Sequence, residues 1–450
     1  MSTLKDQGFT LNPYDLCTAN KIIDGHQCTI VWYVDDNKIS HVDEAVVSHV
    51  ITLIEEKVGK MTVTRGREHT FLGMKITFNK DKTVTIDMSD YIKEAIIDSQ
   101  EDVSKTATSP ATKTLFDIDD DSPVLDKVKA DRFHRIAAKL LYICKRGRPD
   151  IPLPVAYLCT RVSHSTEEDW GKLKRVLQFL NRTITDHLVL GADCLTILKT
   201  WVDAAYGVHP DMKSHTGGAM SLGRGVIMSK STKQKLNTKS STEAEVVGAS
   251  DYLPNTIWAK LFLEAQGYEI QENTFYQDNQ SAMKLETNGR ASCGQKSRHI
   301  DIRYFFMQDR INTEGIMIKY CPTEQMLADF FTKPLQGSLF EKFRRVVMGH
   351  AHIDTLRLPT VVPTEERVGS NVERKTGKKN DSAVVTKVAT PTRRGVRFMN
   401  GGSDVTTTVS TNPDGWTVVK GRRQTCPASL TSQANVTTEK RMSPRAHSLV

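Results

Sequence analysis

Four acidic residues sit in four different local contexts, and any fold for this chain has to account for them together. Asp203 ends an apolar-alternating run, Thr196-Ile-Leu-Lys-Thr-Trp-Val-Asp203. Glu245 lies one turn into a helical pattern opened by Ser240-Ser-Thr-Glu-Ala-Glu245. Asp278 closes the short strand pattern Thr274-Phe-Tyr-Gln-Asp278, and Asp329 falls in the first turns of a helix after Thr323-Glu-Gln-Met-Leu-Ala. The order strand end, helix, strand end, helix lets four carboxylates converge on one edge of a sheet. Crowded carboxylates repel one another unless cations sit between them, and hard divalent ions prefer oxygen ligands. The expectation is a site for two Mg²⁺ or Mn²⁺ ions held by Asp203, Glu245, Asp278 and Asp329. Two such ions clamp the attacking and leaving oxygens of an in-line phosphodiester displacement, the chemistry of a nuclease.

The surrounding pattern suits that convergence. Strands are expected at 196–202, 216–222, 225–230, 274–278 and 315–321, interleaved with helices, which predicts a mixed five-stranded sheet with flanking helices. Upstream, residues 27–34 and 38–42 read as a hairpin turning at Asp35-Asp36-Asn37. A helical stripe follows, with Val46, Val47, Val50, Ile51 and Ile54 on one face. A second hairpin pairs 71–78 with 83–87, and Ser89 or Asp90 is expected to cap a helix over 91–97. Residues 100–125 read as a polar loop. Phe133, Ile136, Ala137, Leu140, Leu141 and Cys144 then keep helical spacing. Trp170, Leu173, Leu177 and Leu180 do the same behind a capping box Ser165 to Glu168. Such stripes are core far more often than they are functional.

Length allows two or three domains, and 38% hydrophobic with 25% charged residues fits a globular chain. No run of apolar residues is long enough for a membrane span, and the N-terminus has no apolar signal core, so an intracellular protein without a membrane partner is expected. Eight cysteines are scattered singly with no Cys-x-x-Cys pair, which argues against a zinc site or a disulfide framework. Residues 351–450 hold 16 Lys and Arg against 8 Asp and Glu, so the net charge of +8 belongs to this tail and the rest is balanced. Hydrophobic periodicity fades there, and disorder is expected. Its basic pairs suit nonspecific nucleic-acid binding, nuclear import or plain solubility.

Tyr33-Val-Asp35-Asp36 is short, and Asp-Asp-Asn is also ordinary turn chemistry. On a hairpin tip, followed by Phe71-Leu-Gly-Met-Lys-Ile76, Arg148-Pro-Asp-Ile151 before a helix and Lys174-Arg-Val-Leu-Gln-Phe-Leu180, it resembles the reverse transcriptase of copia-type (Ty1-like) LTR retrotransposons. Lys239-Ser-Ser-Thr-Glu-Ala-Glu245, Gln277-Asp-Asn-Gln-Ser-Ala282, Arg298-His-Ile-Asp-Ile-Arg303 and Ala328-Asp-Phe-Phe-Thr-Lys-Pro-Leu335 resemble that family's ribonuclease H domain, in the same order. The resemblance covers roughly 10–347. It implies an α+β partial reverse transcriptase palm over 1–99, a loop with thumb or connection helices over 100–190, an α/β ribonuclease H-like domain over 195–349 and a basic tail over 350–450.

By the same match, Asp203, Glu245, Asp278 and Asp329 take the family's metal-binding catalytic positions, and Glu243 is left as the capping partner of Ser240. Ala205 departs from members that carry a second acid there. Asp35 and Asp36 match the polymerase positions. The family's third palm carboxylate has no counterpart among the residues before them, so a polymerase remnant that is incomplete in this chain is expected. Lys235, Lys239, Lys296 and Arg298, with Lys230 and Lys233, flank the acids and suit phosphate contacts or a solvated surface. His299 is left outside the catalytic set. The implied activity is cleavage of the RNA strand of an RNA–DNA hybrid, with other parts of a retrotransposon polyprotein as further partners, in a cytoplasmic particle or the nucleus. The alternatives are full RNA-directed DNA polymerase activity with the missing half supplied separately, and an inactive nucleic-acid-binding remnant.

Overall fold

Short alternating segments joined by tight turns build the first part of the computed structural model, which describes residues 2–288, 301–357 and 416–421. After a helix α1 (Ser2–Asp6), strands β1 (Thr10–Asn12), β2 (Asp15–Ile23), β3 (His26–Tyr33) and β4 (Asp36–Ser40) form an antiparallel meander. The expected hairpin is present, but its turn comes earlier: Val34-Asp35 makes the bend and Asp36 already opens β4. Val34 has a φ of +56°, a region that costs a β-branched residue about 1–3 kcal/mol. Helix α2 (Glu44–Val58) is capped by Asp43, whose side chain accepts from Ala45 N. It lays Val46, Val47, Val50 and Ile51 against Ile30 and Ile39 of the meander.

Next come β5 (Met61–Arg65), β6 (Glu68–Phe71), β7 (Met74–Phe78) and β8 (Val84–Asp87). The strand expected over 71–78 is broken, because Leu72 and Gly73 both take positive φ and fold it into a β6–β7 hairpin. Helix α3 (Ser89–Ser99) starts at Ser89 rather than being capped by it. Asp87 explains the shift: its Oδ1 accepts from Ser89 N at 2.7 Å and from Ser89 Oγ at 2.5 Å. The 100–125 loop is anchored by buried Val103, Ala107, Ala111, Leu115 and Leu125. Helices α4 (Lys127–Arg146), α5 (Pro152–Arg161) and α6 (Glu167–Arg182) bury both expected stripes except Leu141, which faces out while Ile143 takes a core place. The capping box falls one residue later than expected, on Thr166 and Asp169. Strand β9 (Leu188–Ala192), absent from the sequence reading, pairs with β8.

The remainder runs β10 (Ile197–Ala205), β11 (His215–Ser221), β12 (Gly223–Arg224), β13 (Met228–Lys233), α7 (Ser241–Ala265), β14 (Glu272–Gln277), α8 (Gln280–Asn288), α9 (Asp301–Glu314), β15 (Met317–Tyr320) and α10 (Gly337–Val347). The expected mixed sheet forms with five strands in the order β13-β11-β10-β14-β15. β10 is antiparallel to β11 and parallel to β14, so it sits at the centre. That position buries both of its faces, which is why residues 200–205 are buried without alternation.

A second five-stranded sheet, β12-β9-β8-β7-β6, carries strands from both sides of the boundary expected near 190–195. Helix α10 bridges the same boundary through a buried ion network. Arg148 makes two hydrogen bonds of 2.8 Å to Asp150. Arg344 of α10 reaches Asp150 at 3.0 Å and Asp186 at 2.5 Å. The expected tail is partly ordered. Residues 353–356 form a turn that buries Ile353 and Leu356, and β16 (Trp416–Gly421) pairs between β4 and β5 in the six-stranded sheet. The rest of the tail lies outside the described residues. Among those described, no helix is long and apolar enough to cross a membrane.

Candidate metal centre

Strand register and two bare glycines bring the acids together. Asp203 of β10 stands opposite Gly217 of β11. A Cβ on Gly217 would fall 2.5 Å from Thr332 Cγ2 and 2.9 Å from Phe331 Cβ. Only bare backbone there lets the tight 3₁₀ turn Leu327–Phe331, which carries Asp329, lie across β11. A Cβ on Gly218 would meet the Tyr252 ring at 2.3 Å, so this glycine admits α7. The start of α7 is fixed twice. Ser240 Oγ accepts from Glu243 N at 3.2 Å, and Gln234 Nε2 donates to Ala244 O at 2.9 Å and to Thr216 Oγ1 at 3.0 Å. Glu245 then points to the sheet, while the Glu243 carboxylate turns back to accept from Lys239 N at 2.7 Å. Asp278 follows the last residue of β14.

Oxygen atoms of Asp203, Glu245 and Asp278 lie within 4.8 Å of one another. Asp329 joins them through Lys333, whose ammonium is 2.7 Å from Asp329 Oδ1 and 3.7 Å from Asp203 Oδ1. Thr332 Oγ1 donates to Asp203 Oδ2, and Thr323 Oγ1 donates to Asp278 Oδ2 at 3.2 Å. Two of the four acids differ from expectation in context. Asp203 lies inside a strand rather than at its end, and Asp329 sits in a 3₁₀ turn rather than an α-helix.

Burial and mutual repulsion dominate the electrostatics. Asp203 is 2%, Asp329 5% and Glu245 6% exposed, and Asp278 is half-buried. Burial pushes Glu245 far above the usual carboxylate range, with Asp203, Asp278 and Glu286 adding to it and Lys333 opposing. Burial and then Asp203 raise Asp278 and Asp329 as well. Glu286 of α8 is a member the sequence reading missed. It is fully buried, and burial pushes it up to about 8 against the opposing effect of the Gln277 amide beside it. Its signal was its place four residues after buried Ala282 on the same helix face.

These residues fit divalent cations. Glu245 Oε2 is buried without a hydrogen-bond partner, the donor set is all oxygen, and among the described residues it is Lys333 that pairs with the acids, at Asp203 and Asp329. The other expected residues separate. Asp35 is exposed at the hairpin tip, and neither it nor Asp36 joins a group of three metal-ligating side chains among the described residues. Lys235 and Lys239 are exposed between β13 and α7. Lys230 donates to Asp251 O at 3.0 Å, and Lys233 pairs with Asp211 at 2.8 Å. Lys296, Arg298 and His299 lie outside the described residues.

No family model matches the chain. It is 25% identical over 358 residues to the retrovirus-related Pol polyprotein from transposon TNT 1-94 of Nicotiana tabacum, covering 78% of this chain and 27% of that protein. It is 25% identical over 319 residues to the corresponding polyprotein from transposon RE2 of Arabidopsis thaliana, covering 70% and 21%. Transposon Ty1-JR1 Gag-Pol polyprotein of Saccharomyces cerevisiae is 23% identical over 340 residues, covering 70% and 19%. The chain therefore spans about a quarter of the length of these curated relatives. Among solved structures, a foamy viral protease-reverse transcriptase in complex with RNA/DNA hybrid aligns over 70% of this chain and 38% of its own, at 13% identity and a TM-score of 0.40. The relatives of this chain are copia-type retrotransposon Pol polyproteins, as the motifs implied.

Proposed function

We propose that this relative of the copia-type Pol polyproteins is a hydrolase of the ribonuclease H type, acting on the RNA strand of RNA–DNA hybrids. The observation that carries the reading is the set of buried Asp203 and Glu245 with half-buried Asp278, drawn within 4.8 Å with an unpartnered Glu245 oxygen. Asp203, Glu245 and Asp278 would hold one divalent ion, and Asp203 with Asp329 a second. Mg²⁺ or Mn²⁺ bound there supplies Lewis acidity toward the scissile phosphate and lowers the pKa of a water. The chain's own residues prepare the site. Thr332 fixes the orientation of Asp203, the Leu327–Phe331 turn holds Asp329 over β11, and the α7 cap sets the height of Glu245. Exposed Lys235 and Lys239, with Lys296 and Arg298, would neutralise backbone phosphates.

The domain division proposed with this reading is a partial palm over 1–99, connecting helices over 100–190, the hydrolase over 195–349 and a basic tail beyond. Asp35 and Asp36 would be polymerase residues inactive in this chain, since no third acid joins them among the described residues. Incubating the purified chain with labelled RNA–DNA hybrid and Mg²⁺ tests the reading. Cleavage should fall roughly 10³–10⁴-fold in Asp203→Asn and Asp278→Asn, and a primer-extension assay should give no product. No cleavage by the unmodified chain, or equal cleavage by the variants, would sink the nuclease assignment.

A further inference from the structure

The acid cluster carries a cation of its own. Lys333 lies four residues past Asp329, and its ammonium bridges Asp329 at 2.7 Å and Asp203 at 3.7 Å. The two acids keep only 6% and 3% of their side-chain surface in solvent, whereas Lys333 keeps 39%. The ammonium thus has an open route outward, on an unbranched four-carbon stem that moves without dragging backbone. The turn beneath it does not depend on the lysine. Thr332 ties the turn to Asp203, and Ser231 Oγ donates to Phe331 O at 2.8 Å. Lys333 also reaches only one edge of the cluster, and Glu245 Oε2 stays unpartnered on the other.

We propose that Lys333 is a displaceable internal counter-cation. It neutralises the Asp203–Asp329 edge of the metal-free protein, and the divalent ion at that edge has to expel it. This rests on the reading of the cluster as a divalent-ion site. The ion at the Asp203–Glu245–Asp278 edge then binds without competition, and the ion at the Asp203–Asp329 edge binds more weakly by the work of moving the ammonium. A lysine that served only to brace the turn would stay in place whether or not ions were bound.

Calorimetric Mn²⁺ titration of the full chain, beside Lys333→Met and Lys333→Arg, separates these cases. The wild type should show a tight and a weak ion. Lys333→Met should tighten the weak one about tenfold and leave the tight one unchanged, while Lys333→Arg, which keeps the charge, stays near wild type. Reductive methylation of the wild type, read by mass spectrometry, needs no variant: Lys333 should label faster with saturating Mg²⁺ than without. Weaker or unchanged ion binding in Lys333→Met, or labelling that Mg²⁺ slows or leaves alone, overturns the proposal. A wild type that binds no divalent ion at all overturns the cluster reading itself.

Discussion

Two groups of buried carboxylates meet opposite fates in this chain. Asp150 is 1% exposed, and burial alone would push its pKa up, yet Arg148 and Arg344 hold it down to about 2. Asp150 and Asp186 face two guanidiniums, so the network closes on its own charges. Glu245 is almost as deeply buried, but its charged neighbours are mostly acids, and its pKa rises instead. Among the described residues, Lys333 is the cation paired with this group, at Asp203 and Asp329. Burial is therefore not what decides whether a carboxylate's pKa falls or rises. The distinction is the sign of the neighbouring charges: two guanidiniums beside Asp150, mostly other carboxylates beside Glu245.

Removing one partner from each group should break that parallel in opposite directions. Asp150→Asn leaves Arg148 and Arg344 buried without their shared counter-charge, and should cost about 3–5 kcal/mol in urea unfolding with ion binding kept. Asp203→Asn relieves repulsion and should not lower metal-free stability, while abolishing ion binding. Equal destabilisation by both would erase the difference. Glu286 sharpens the comparison through pH. Its folded pKa is raised to about 8, so the stability its protonated form contributes is intact below the ordinary carboxylate pKa and is lost as pH rises through 8. Glu286→Gln should gain on wild type between pH 5 and 9, by on the order of 2–4 kcal/mol, measured as the difference in unfolding midpoints. A gain independent of pH would remove Glu286 from the acid group. The smallest effect belongs to the exposed cations. Lys235→Ala with Lys239→Ala should lower the salt-dependence slope of hybrid binding by about two and leave ion binding untouched.

The acids were readable because each sits in a short segment whose local pattern is strong, and because a mixed sheet with a central β10 is the arrangement that gathers them. The α2 stripe and the helix faces of α4 and α6 were readable for the same reason. Details set by single bonds were not. Asp87 accepting from Ser89 moved the start of α3, and the Leu72-Gly73 bend divided one expected strand into two. Contacts far apart in sequence left no local trace. Arg344 reaches Asp150 from 194 residues away, Thr332 reaches Asp203 from 129, and β16 enters a sheet formed by the first 65 residues. Glu286 stayed hidden because a charged residue on a helix is ordinarily solvated.

Calorimetric titration of the full chain with Mn²⁺ at pH 7, in two buffers of different ionisation enthalpy, bears most directly on the acid cluster. Carboxyls raised by burial and repulsion hold protons that incoming cations must release. Ion binding should be accompanied by net proton release, with both lost in Asp203→Asn. Binding without proton release, or binding unchanged in Asp203→Asn, would contradict it.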